Sequence, residues 1–142
     1  MKNHVVLRLV SKLMIPVIIL FALYVQFHGE YSPGGGFQAG IILAAAIVLH
    51  ALIFGLAEVQ RAVPPGAVHL LAAFGALLYI GVGLWTLLAG GNFLEYKVLA
   101  RDAHVGESAG IILIELGVGI TVASVVIGLF YSFAGRGHKR RS

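Results

Sequence analysis

The chain has 142 residues; 59% are hydrophobic and only 11% are charged, with ten Lys or Arg, six Asp or Glu, and no cysteine. A water-soluble domain carries about a quarter charged residues, so charge this sparse excludes an ordinary soluble enzyme and a disordered tail. The absence of cysteine excludes a disulfide scaffold, thiolate-held Fe–S clusters and zinc–thiolate sites. A membrane protein remains, in line with a mean hydropathy of +0.96. A hydrocarbon core about 30 Å thick needs roughly 20 apolar residues per helix, and four such helices use about 80. The expectation is an all-α integral membrane protein with four transmembrane helices, forming a single domain over residues 1–142.

Span 1 is predicted at about 5–27. Arg8 and Lys12 lie near its start, within snorkelling reach of the headgroups, and Pro16 is a candidate for a local kink. The polar run Gln26-Phe27-His28-Gly29-Glu30 after it is no signal-peptidase site, so the span is read as retained. Span 2 is predicted at about 37–57, interrupted only by His50. Glu58 to Gly66, with adjacent Pro64 and Pro65, is predicted as a short turn. Span 3 is predicted at about 67–90, with His69 at its start. A charged loop follows to Ser108, and span 4 is predicted at about 109–134, interrupted only by Glu115. The tail from Gly135 is basic.

Four spans place both termini and the second loop on one side. That side holds Lys2, Arg8, Lys12, Arg61, Arg136, Lys139, Arg140 and Arg141, whereas only Lys97 and Arg101 fall on the other. The positive-inside rule then puts both termini in the cytoplasm. The basic tail is read as meeting anionic headgroups, not nucleic acid.

Several residues carry possible chemistry. Glu115 is the one acid inside a span, about 9 Å from its outer end. A carboxylate facing lipid is costly, so it should face protein or water. It is read as a proton relay or cation-path group, as the partner of a cation on another subunit, or as protonated or hydrogen-bonded structural glue. His50 lies about 20 Å from the outer end of span 2. It is either a hydrogen-bonded structural residue or a second candidate for the ion path. Paired with His69 it would suggest a bis-His haem, but the two depths differ by about 7 Å and no cofactor is expected. Asp102, His104 and Glu107 match no metal-site spacing, so no metal is expected. The apolar Phe93, Leu94, Tyr96, Val98 and Leu99 among the loop charges are read as resting on the membrane surface or a partner. No nucleophile–base set or phosphate loop supports an enzyme. Gly36, Gly40 and Ala44 recur on one face of span 2, with Gly81 and Gly83 in span 3 and Gly117 and Gly119 in span 4, as grooves that admit a neighbouring helix. The most specific string is Pro33-Gly34-Gly35-Gly36-Phe37-Gln38-Ala39-Gly40, where three glycines permit a tight turn and close backbone approach.

On this string the chain resembles the MnhB-type membrane subunit of the Mrp-type multisubunit cation/proton antiporters. Glu115-Leu116-Gly117-Val118 is similar to the acid–x–Gly–Val element of the family's last span, Glu standing where many members carry Asp. His50 and His69 match no family element. The resemblance covers essentially the whole chain and implies a subunit of a multisubunit Na⁺/H⁺ exchanger in the inner (plasma) membrane. Its implied partners are the other antiporter subunits, including large membrane subunits related to respiratory complex I. Related subunits also occur in membrane-bound hydrogenase-like ion-pumping complexes, which the sequence leaves open. From the residues alone, a stand-alone four-helix proton-coupled drug exporter is the alternative of different class.

Overall fold

The computed structural model describes residues 4–29, 34–95 and 103–139. Pro33, Tyr96 to Leu99, Arg101 and Asp102 lie outside them, as do Lys2, Arg140, Arg141 and the side chain of His104. Among the described residues five helices run in order: α1 (Val5–His28), α2 (Gly36–Phe54), α3 (Leu56–Ala62), α4 (Pro65–Leu88) and α5 (Ala103–Lys139). Four of them, α3 excepted, contain stretches long and apolar enough to cross a membrane.

The helix boundaries follow from local chemistry. α1 continues through Pro16. α2 ends at Gly55, whose φ of +106° favours glycine and turns the chain at once into α3. This corrects two expectations: span 2 stops at Phe54, and the segment after it is a short amphipathic helix, not a turn. Val59 is buried in α3 while Glu58 and Arg61 point outward. Pro65 opens α4, where its missing N–H leaves no bond unmade. α4 stops at Leu88, and Gly90, with φ +90°, reverses the chain. The following residues fold back on α4: the Leu94 N–H donates to Thr86 Oγ1 at 2.9 Å, and the Phe93 ring covers Gly83. α5 begins at Ala103 and runs to Lys139, beyond the predicted 109–134 at both ends. Hydropathy marks where a helix leaves the apolar layer, but polar residues such as Glu107 and Arg136 keep the helical hydrogen bonds going.

The packing order is α1, α2, α5, α4, with α5 in contact with both α2 and α4, and α1 resting mainly on α2. The apolar core gathers at one end, where Ala44 and Ala51 of α2, Val59 of α3, Val68 of α4, and Ile127 and Tyr131 of α5 meet. The Tyr131 hydroxyl donates to the Val63 carbonyl at 2.9 Å and ties α5 to the end of α3. Only 11% of the apolar window of α1 and 22% of that of α4 is buried within the chain, so most of both helices is left to lipid or to other proteins.

Candidate functional site at the α1–α2–α5 seam

Glycine brings α5 against both neighbours at backbone distance. A Cβ built on Gly36 would land on the Glu115 carbonyl, and one on Gly40 would lie 2.7 Å from the Gly119 oxygen. Across α5, a Cβ on Gly75 of α4 would lie 2.7 Å from the Gly117 oxygen and would collide with Thr121 Oγ1. Helices in lipid gain nothing by hiding apolar surface from water, so contact of this closeness is what holds them together. The predicted grooves at Gly36–Gly40 and Gly117 are therefore filled within the chain itself. Gly81, grouped with them in the sequence, meets nothing within 4 Å.

The seam places Glu115 at the end of its neighbours. Both carboxylate oxygens lie 2.9 Å from where a Cβ on Gly29 would sit, and Oε1 lies 3.3 Å from the equivalent point on Gly35. The carboxylate thus lies between the end of α1 and the start of α2, partly buried and engaged in a polar interaction. Any side chain at Gly29 or Gly35 would crowd it. The N-cap of α2, Gly35, offers no capping side chain and lies beside the acid, so the carboxylate sits near the positive end of that helix, an arrangement that favours negative charge.

One turn further along α5 the seam holds a second polar group that the sequence does not single out. Gln26 of α1 is 5% exposed, and its Oε1 lies 2.6 Å from the Cβ point of Gly119. The Gly36 carbonyl oxygen lies 3.2 Å from that same point. Gln26 Nε2 is buried without a hydrogen-bond partner among the described residues. The signal for it in the sequence is weak: Gln26 reads as the polar edge of span 1, whereas it lies three residues before Gly29 on one helix face.

The remaining predicted site residues sit elsewhere. Gly34 adopts φ +146°, where a side chain would be strained and would press on Val25. Phe37 and Gln38 are exposed at the start of α2. His50 lies fourteen residues beyond Gly36 on α2, about 21 Å along the helix axis, so the structure separates it from Glu115. Its ring packs against that of Phe54 at a tilt of 36°, with centroids 4.8 Å apart. The Arg8 guanidinium carbon and Lys12 Nζ lie 5.2 and 5.7 Å from the centre of the same Phe54 ring. His69 is exposed, with Nδ1 2.7 Å from the Pro65 carbonyl; α5 stands between its helix and that of His50. Among the described residues no three His, Asp or Glu side chains gather as a metal site.

Over residues 6–128 the chain matches the family described as a domain related to the MnhB subunit of Na⁺/H⁺ antiporter. Proteins of Staphylococcus aureus designated antiporter subunit mnhB2 are similar along nearly their whole length. Those of strains Newman, NCTC 8325 and COL are each 33% identical over 140 residues, covering 94% of this chain and 96% of theirs.

Proposed function

The chain belongs to the MnhB family of Na⁺/H⁺ antiporter subunits, and from that premise we propose that it is a non-catalytic, multi-pass subunit of a plasma-membrane cation/proton exchanger, in which Glu115 lines part of the ion path. Both termini face the cytoplasm. Its partners are the other antiporter subunits, among them large complex-I-like membrane subunits, and the transported ions are Na⁺ and H⁺. The observation that carries the reading is the position of the Glu115 carboxylate, set against Gly29 and Gly35 at the end of α1 and the start of α2. Glu115 is only partly buried there, and an ion-path acid needs one side within reach of water. The glycine string serves this arrangement, since Gly35 and Gly36 keep side chains from crowding the carboxylate and its backbone. His50 belongs to the opposite end of α2 and is not assigned to the same step.

The test is exchange by the assembled complex in inverted vesicles. Glu115→Gln should leave assembly intact and lower Na⁺/H⁺ exchange at least about tenfold, the effect of losing one charge-assisted interaction of about 1.4 kcal/mol or more. Full exchange by a correctly assembled Glu115→Gln complex would leave the chain as an assembly subunit only. Co-purification separates the hydrogenase-like alternative, which predicts redox proteins in the complex.

A further inference from the structure

We propose that the seam between α1, α2 and α5 holds a buried water molecule, bound by Gln26 and Glu115, which makes Gln26 the positioning residue for the acid. This rests on the ion-path reading of Glu115 for its functional consequence, though not for the water itself. Two independent observations meet here. The first is the unpartnered donor: Gln26 is only 5% exposed, and its Nε2 makes no hydrogen bond among the described residues. An amide N–H in an apolar surrounding, without an acceptor, costs several kcal/mol. The second is its location. Gln26 Oε1 lies against Gly119, and Gly119 is four residues after Glu115, on the same face of α5. The two polar side chains are therefore stacked one helical turn apart, about 6 Å along α5.

In the structure this amide donates to no backbone carbonyl among the described residues. Gly29, Gly36 and Gly119 carry no side chain, and the atoms nearest their Cβ positions are backbone, the Glu115 carboxylate and the Gln26 amide itself, so the surroundings are polar, as a bound water requires. A water of this kind accepts from Gln26 Nε2, which thereby gains the partner it lacks, and donates to the Glu115 carboxylate. The α2 positive end then acts on the carboxylate from one side and the water from the other. Among the described side chains, the other titratable groups on the same half of the helices are Tyr24 and His28 of α1, Tyr79 of α4 and Glu107 of α5, and α2 contributes none before His50.

The experiment uses the complete antiporter complex. Gln26→Met keeps length and volume but removes the donor, and Gln26→Asn keeps an amide. The carboxyl band of Glu115 is identified in infrared difference spectra by its loss in Glu115→Gln. In Gln26→Met that band should move, and in Gln26→Asn it should return toward its original position. Maximal exchange in Gln26→Met should fall about tenfold, with apparent Na⁺ affinity unchanged. An unmoved Glu115 band in an assembled Gln26→Met complex overturns the proposal. The spectral arm is independent of transport. Full exchange in Glu115→Gln together with a moved band would reject the ion-path reading and keep the water. If Gln26→Met does not assemble, a high-resolution map of the wild-type complex decides. Ordered density between Gln26 and Glu115 supports the proposal, and a Gln26 amide bonded directly to a protein carbonyl overturns it.

Discussion

Individual glycines in this chain divide by what surrounds them, not by where they fall in a helix. Gly36, Gly40, Gly75, Gly117 and Gly119 lie where two backbones meet, and a methyl group there would strike a carbonyl, an amide or a short side chain. Gly81, in the same helix as Gly75, has open space. Gly75→Ala should therefore destabilise the protein by about 1–3 kcal/mol through overpacking. Gly81→Ala should stay within about 0.5 kcal/mol. Thermal unfolding of the purified complex, or of the chain in detergent, checks the pair side by side. Similar melting of the two variants would mean that α4 and α5 do not meet as closely as the structure shows.

At the scale of elements, the short helix α3 joins the two halves of the row. Gly55 ends α2 with a positive φ, α3 buries Val59, and the Tyr131 hydroxyl of α5 holds the Val63 carbonyl at the far end of α3. That carbonyl lies just past the helix, and Tyr131 is its side-chain link to α5. Tyr131→Phe removes one hydrogen bond while keeping the ring, and should lower stability by about 1 kcal/mol. The same substitution should speed proteolysis in the segment from Leu56 to Pro64, because the end of α3 then loses its hydrogen bond to α5. Limited proteolysis of the open membrane face reads this directly; an unchanged cleavage rate would mean that the Tyr131 bond does not anchor α3.

For the whole molecule, four membrane-length helices in the order α1, α2, α5, α4 leave much of the outer two uncovered. That shape suits a chain with neighbours on both flanks. Expressed and reconstituted alone, it should show no Na⁺/H⁺ or proton-coupled drug exchange, whereas transport by the isolated chain would favour the small exporter. The topology can be read separately because the chain has no native cysteine. In Glu95→Cys, on the turn after α4, an impermeant maleimide added outside intact cells should label the protein. In Arg136→Cys, near the end of α5, it should not. The reverse pattern would place the termini outside.

The sequence by itself determined the class, the number of long helices and the family. Apolar length is set by the thickness of the hydrocarbon layer, a physical quantity that composition can be compared with directly, and the Gly34-Gly35-Gly36-Phe37 string is unusual enough to mark its family. Glu115 was legible for the same reason: a lone acid in an apolar run stands out in one dimension. Helix limits were less legible, since α5 continues through polar residues and α3 hides in a segment that reads as a turn. What only the tertiary structure decided is which residues meet. It placed Glu115 against the end of α1 and the start of α2, brought Gln26 within one helical turn of it, and moved His50 to the other end. Those relations depend on the rotation and vertical offset of one helix against another. In lipid these are set by where glycine lets backbones touch, and that is a property of pairs of faces that no single run of residues displays.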